Sequence, residues 1–339
     1  MTAPTMIGSA IRALPCPVCC MCGSAGETVY SGVRDKLFGA SGEWNFSRCS
    51  NADCRLLWLD PRPLEDDIHV AYATYYTHTK PGETRSLKAR LLSMLLGILT
   101  RSVMLFSGLA RQRRDISDMH LDELPAGQLL DIGCGDGRFL HRMKDRGWSV
   151  TGLDFDQQAA RAAKEKYDIE VKVCRLKEMG CPDNSFDAVT MHHVIEHVFD
   201  PVATLREVCR ILKPGGMVVV VTPNADSLGL RIYGPNWRGL EAPRHIQIFS
   251  PPALGAAARN AGLVSAQVYS SAANAWAILS ASAQLAEQKA ATSAMPQKPS
   301  IRTVLKALLM NYREARMNAR TGRDGEENVL RARKAAAAN

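Results

Sequence analysis

Residues 129–140 read LLDIGCGDGRFL, and this stretch decides the fold. An apolar run ends in Asp131, and Gly133, Gly135 and Gly137 then alternate into a helical pattern. Glycine is needed where φ is positive or where a ligand must come close to the main chain. A helix starting there offers free N–H groups and the positive end of its dipole. This is the layout of a nucleotide-binding strand–turn–helix. The spacing is G-x-G-x-G, not the G-x-G-x-x-G of dinucleotide binders. A second strand, in VTGLD, closes on Asp154, twenty-one residues after Gly133. A carboxylate in that place can accept both hydroxyls of a ribose.

Outward from this turn, short apolar runs alternate with helical patterns, which predicts a parallel α/β sheet. The expected strands are Gln128–Ile132, Ser149–Leu153, Glu170–Val173, Asp187–Thr190 and Met217–Thr222, with helices near 137–146, 156–167 and 200–212. Lys213-Pro214-Gly215-Gly216 stops the last of these helices. Ser250 before Pro251-Pro252 predicts an N-capped helix. Leu263–Tyr269 reads as a strand, 272–322 as mainly helical, and Glu327–Arg333 as a last strand.

With these pieces in order, the sequence resembles the class I S-adenosylmethionine-dependent methyltransferases. The resemblance covers about residues 127–270. It is carried by LLDIGCGDG, by SFDAVTMHHVIEHVFDP (185–201) and by LKPGGMVVVVTPN (212–224). It implies an α/β fold with a Rossmann-like, mostly parallel seven-stranded sheet whose last strand is antiparallel. It implies that Asp131, Gly133, Cys134 and Gly135 line the methionine end of S-adenosylmethionine. Asp154 would hold the ribose, Phe155 would lie near the adenine, and His192 would lie near the sulfonium. The acid that often follows the third strand is replaced by Arg175 in VCRLKEM.

His193, Glu196 and His197 match H-x-x-E-H, a zinc-peptidase pattern when it lies on a long helix. Here the segment follows a buried strand and runs into Asp200-Pro201. Some ubiquinone-pathway O-methyltransferases place a metal on E-x-x-E-H at this point, but His193 stands where the first acid would be. The preferred reading is of structural residues beside the cofactor cleft.

Six of the ten cysteines fall before residue 55. The N-terminus lacks a basic start followed by an apolar core, so no signal peptide is expected and a cytoplasmic chain is. Clustered cysteines in that setting read as metal ligands. The available CxxC pairs are Cys16/Cys19 and Cys19/Cys22, of which the second, before Gly23, forms the better knuckle, and Cys49 with Cys54 forms a longer second turn. Four thiolates suit a closed, structural zinc site. The stretch also resembles the zinc-binding module that precedes bacterial methyltransferases of sugar, polysaccharide and natural-product tailoring. The expected divisions are a zinc module at 14–62, a helical linker or cap at 63–120, and the methyltransferase domain at 121–337 with a helical insertion at 272–322.

The net charge of +8 is localised. Residues 80–114 carry eight basic groups and one acid, and 301–339 carry nine and four. This is not the even basic surface of a nucleic-acid binder. Residues 91–109 are almost wholly apolar, with Arg101 in their centre. They read as helices capping the site, or as a segment within 88–114 lying on an anionic membrane surface. The loop 233–254 leaves the carboxyl end of the sheet, and its His245 is the expected base. Tyr76, in Tyr75-Tyr76, is a second expected catalytic group, because an equivalent pair in the resembling group covers the cofactor or acceptor.

The expected function is methyl transfer to a hydroxyl, less readily a carbon, of a small-molecule, glycan or lipid-linked acceptor. The rivals are an RNA- or protein-modifying enzyme that recognises its target through the zinc module, and a cofactor-binding scaffold without catalysis.

Overall fold

The computed structural model describes residues 4–8, 10–73, 109–287 and 301–337. Before the glycine turn lie β1 (Thr5–Ile7), β2 (Ile11–Leu14), β3 (Gly26–Val33), β4 (Trp44–Cys49), β5 (Leu57–Leu59) and β6 (Arg62–Pro63), then helix α1 (Leu109–Ser117). There follow β7 (Gln128–Ile132), α2 (Arg138–Asp145), β8 (Ser149–Asp154), α3 (Gln157–Tyr167), β9 (Val171–Val173), β10 (Phe186–His192) and α4 (Pro201–Ile211). The chain continues through β11 (Leu212–Pro223), α5 (Leu228–Tyr233), β12 (Gln247–Ile248), α6 (Pro251–Asn260), β13 (Val264–Ser271), α7 (Ala275–Glu287), α8 (Ile301–Thr321) and β14 (Glu327–Arg333).

Seven strands form the main sheet in the order β13-β14-β11-β10-β7-β8-β9. The pairs from β9 through β11 are parallel, and β14 runs antiparallel to both β11 and β13. The central strands are apolar on both faces, as a sheet covered by helices on each side requires. Val218–Val221 of β11 are fully buried and divide between two apolar clusters, one on each face. Helix α6 begins as its sequence dictates, with Ser250 Oγ accepting from the Ala253 amide and Pro251 in the first turn.

The Lys213–Gly216 stop lies within the span of β11. There the pairing jumps from Phe186–Leu212 to Ala188–Met217, with Gly215 at φ +78°. The expected break is thus a looped-out segment inside a longer strand.

The N-terminal segment begins before residue 14, in the sheet β1-β2-β6. Its second sheet, β12-β5-β4-β3, takes β12 from the loop after β11. Cys19, Cys49, Cys54 and Trp58 share one apolar cluster with Phe249 and Leu254. Packing therefore crosses the boundary that composition draws near residue 62.

Candidate active site

Strand register sets this site. Ile132 pairs with Leu153 on one side and Met191 on the other. The next residues, Gly133, Asp154 and His192, therefore emerge side by side at the carboxyl end of the parallel strands, where α/β sheets bind ligands. Gly133 and Gly135 both have left-handed backbones, at φ +73° and +53°. A Cβ on Gly133 would come within 2.4 Å of Val194 Cγ2, whereas one on Gly135 would meet nothing within 4 Å. Gly133 closes the turn against protein, and Gly135 opens it to a ligand.

The Gly135 amide donates to Asp154 Oδ2 and the Asp156 amide to Asp154 Oδ1, each at 2.9 Å. Burial pushes the Asp154 carboxyl up against the pull of these amides. Its oxygens still hold lone pairs for further donors. Phe155 is 67% exposed, and Tyr72 meets its ring edge-on at 5.3 Å. Asp131 lies one layer down and accepts from Thr190 Oγ1 at 2.7 Å. Burial raises it to about 7, partly opposed by that hydroxyl. Cys134 turns away from the edge, and its Sγ packs beneath Gly152 beside Leu140. Of Cys134, only the main chain shares in the turn.

Strand β10 ends on two histidines. His192 is exposed at the open edge yet set deep in the molecule, and that recessed position with the neighbouring His193 lowers it to about 4. His193 has φ +55°. Its Nδ1 donates to Glu196 Oε1 at 3.1 Å and its Nε2 to Glu327 Oε1 at 2.8 Å. Burial opposes its charge, but the two carboxylates outweigh burial and hold the imidazolium up to about 10. Glu196 is fully buried, which alone would raise it, yet the contact with His193 brings it to about 2. Its second oxygen accepts from Thr222 Oγ1 at 2.9 Å.

His197 Nδ1 lies 3.1 Å from the Tyr72 hydroxyl and 3.0 Å from the Arg244 carbonyl. Its ring packs edge-on against His245, centroids 4.7 Å apart. His245 Nδ1 donates to the Gly239 carbonyl at 2.7 Å, and its Nε2 faces Glu241 Oε2 at 3.8 Å. Burial, then the neighbouring His197, lowers it to about 4. Glu196, His197 and His245 bring three potential metal-ligand atoms within 4.8 Å of one another.

The sulfurs of Cys19, Cys22, Cys49 and Cys54 also converge within 4.8 Å. Cys19 lies 3.6 Å from Cys54, and Cys22 lies 3.3 Å from Cys49. Thiolates 2.3 Å from a tetrahedral zinc stand about 3.8 Å apart, so this donor set fits that ion. Cys16 and Cys20 fall outside the cluster. The knuckle is tied to the loop after β11, since Ser250 Oγ donates to the Cys54 carbonyl and Cys20 Sγ donates to Gln247 Oε1 at 3.7 Å. Arg244, wholly buried, pairs with Asp35 at 2.9 Å and Glu241 at 3.0 Å, locking the N-terminal segment to the same loop.

The structure thus brings Asp131, Gly133, Gly135, Asp154, Phe155 and His192 to one edge and places His245 behind it, beneath His197. Tyr76 and most of 88–114 lie outside the described residues. Arg175 is engaged elsewhere, pairing with Glu65 at 2.5 Å. Sequence reasoning missed Tyr72, Thr190 and Glu327. Glu327 stands 134 positions from its partner His193, and its one local signal is an acid opening an apolar strand.

A family model described as a methyltransferase domain matches residues 105–268. The ubiquinone biosynthesis O-methyltransferase of Xanthomonas oryzae pv. oryzae is 32% identical over 163 residues, covering 44% of this chain and 68% of that protein. Its namesake from Chromobacterium violaceum is 31% identical over 163 residues, covering 44% and 70%. Among solved structures, an S-adenosylmethionine-dependent methyltransferase from Thermotoga maritima, titled a possible histamine N-methyltransferase, aligns with a TM-score of 0.43 at 22% identity. It covers 70% of this chain and 99% of that one.

Proposed function

This chain belongs to the class I S-adenosylmethionine-dependent methyltransferases, and from that premise we propose that it methylates a hydroxyl oxygen of a small-molecule, glycan or lipid-linked acceptor. One observation carries the reading: the open backbone of Gly135 lies beside Asp154 and His192 at a single sheet edge. Oxygen as the methylated atom is supported by the names of the relatives from Xanthomonas and Chromobacterium. Family membership displaces the idea of a non-catalytic scaffold.

Bound S-adenosylmethionine supplies a methyl group already activated on a sulfonium. The chain's own task is then alignment and the exclusion of water. Gly135 admits the cofactor without a side chain in its way. Asp154, held in place by two amides, would accept the ribose hydroxyls with its remaining lone pairs. Asp131 would serve the methionine end, where an ammonium would restore the charge that burial disfavours. Phe155 and Tyr72 would hold the adenine.

The acceptor's proton needs a neutral imidazole. His192 is neutral and exposed at the strand end, so it is the group placed to touch an acceptor. His245, neutral but buried, acts as base only where the acceptor reaches beneath His197, and otherwise positions that ring. Cys19, Cys22, Cys49 and Cys54 would hold a structural zinc, which would fix the loop carrying Gln247 and Ser250.

Calorimetric titration with S-adenosylmethionine tests the cofactor site. Asp154→Ala is expected to weaken binding about 100-fold, or ~2.7 kcal/mol, while Gly135→Val removes it. Labelled-methyl assays with catechol, quinol and sugar-nucleotide acceptors should then give O-methyl products that are lost in His192→Ala. Unweakened binding by both cofactor-site variants, or label recovered only in RNA or protein, overturns the reading. Elemental analysis of the purified chain should find one zinc, lost on Cys19→Ser.

A further inference from the structure

The buried face of helix α8 changes character along its length: Ala307, Leu308 and Met310 bury apolar groups in its first half, and polar side chains take over in its second. Asn311 Nδ2 donates to the Ala272 carbonyl at 2.8 Å, Glu314 Oε1 accepts from the Glu326 amide at 2.9 Å, and Asn318 Nδ2 donates to the Ser270 carbonyl at 2.7 Å. Spacings of three and four residues put these buried side chains on one stripe. They fasten the helix to the main chain around the facing ends of β13 and β14. The opposite stripe has no such duty, yet it carries Leu305 (44% exposed), Leu309 (62%) and Tyr312 (36%).

Basic side chains flank these apolar groups. Arg302, Lys306, Arg313, Arg316 and Arg320 are all exposed. The helix's single acid, Glu314, is on the buried side. Arg302, Lys306, Arg313 and Arg320 form no ion pair among the described residues. Helix α1 adjoins this region, because its Leu109 shares an apolar cluster with Ala307 and Met310, and its Arg111 and Arg114 are exposed.

We infer that the outer face of α8 docks the protein onto an anionic lipid bilayer, with Leu305 and Leu309 in the headgroup–acyl boundary and the flanking cations on lipid phosphates. The unopposed positive charge selects an anionic surface. The aliphatic groups select hydrocarbon, since RNA is gripped by phosphate contacts and by aromatic stacking and would leave both leucines without partners. Among the described residues no helix is long and apolar enough to cross a membrane, so α8 would lie in the interface. The inference does not depend on the identity of the methyl acceptor.

The test is sedimentation of the full chain with phosphatidylcholine vesicles, with and without about 30% phosphatidylglycerol. Association is expected only with the anionic vesicles and should weaken as salt is raised. The double variant Leu305→Gln/Leu309→Gln is expected to lower the partition at least about ten-fold. Its S-adenosylmethionine affinity and melting temperature should match the parent, which shows that the fold is intact. Arg313→Glu/Arg320→Glu should weaken association by a similar factor. The inference is overturned if the parent ignores anionic vesicles, if it binds neutral vesicles equally, or if both double variants associate as the parent does. RNA binding that depends on α8 and persists in the presence of vesicles would assign this face to nucleic acid instead.

Discussion

The two halves of the sheet's carboxyl edge adjoin each other and are built by opposite means. On the β7–β8 side, the cofactor half, the working parts are main chain and empty space: an open glycine, a turn, and one carboxylate held by amides. Gly133 through Asp154 come from one short stretch of sequence. On the β10–β11 side, the half proposed to receive the acceptor, the parts are buried charges drawn from distant segments. His193 sits between Glu196 and Glu327, and Arg244 sits between Asp35 and Glu241. A cofactor whose form is constant can be met by a local backbone motif. A wall shaped for a particular acceptor, made of loops that lack regular hydrogen bonding, needs ionic bolts from several elements to hold it still.

The sharpest way to break this contrast is to remove a bolt. Arg244→Ala leaves Asp35 buried without its cation and Glu241 with Arg238 alone. It is expected to cost about 3–5 kcal/mol in urea unfolding, far more than an exposed arginine does. A loss below about 1 kcal/mol, the value of a surface pair, would mean that the acceptor half is not held by its charges.

A smaller effect is expected on the cofactor half. Asp131 stands at about 7 through burial. Its raised value means that the ligand-free fold loses stability as pH climbs from the ordinary carboxylate range through about 7. A bound ammonium favours the ionised form, so S-adenosylmethionine affinity should rise about ten-fold across that window and then level off. Asp131→Asn should flatten the profile at its weak, low-pH end. A parent profile without slope would separate Asp131 from the methionine end.

The smallest expected effect is at Glu314. Burial, then the neighbouring Glu326, raises its carboxyl well above the ordinary value. It therefore opposes folding increasingly as pH rises above the range where a free glutamate ionises. Glu314→Gln keeps an oxygen for the Glu326 amide and removes that penalty. Its melting temperature should match the parent's near pH 5 and exceed it by a few degrees near pH 8. Equal melting at both values would show that this carboxyl carries no such cost.

Much of the fold was legible because each element carries its own local signal. Gln128–Ile132 and Glu327–Arg333 begin and end where their apolar patterns predict. The N-cap at Ser250 is written in three residues. The cysteine pairs converge as their spacing suggests. Less legible was the acceptor half. His245 reads as an accessible base in a Gly/Pro-framed loop, but it lies buried against the Gly239 carbonyl and the His197 ring. Tyr72 carried no signal at all, since its neighbours Phe155 and His197 lie more than eighty positions away.

The sequence by itself determined most strands and helices of the main sheet, the cofactor turn and the cluster of six cysteines from which four thiols are drawn. Each of these rests on interactions among residues a few positions apart, where conformational preference and spacing act directly. Only the tertiary structure decided which histidine faces outward, which carboxylates hold His193 charged, and which face of α8 keeps Leu305 and Leu309 in solvent. Those outcomes depend on which distant segments pack together and on how far burial raises the cost of an unpaired charge.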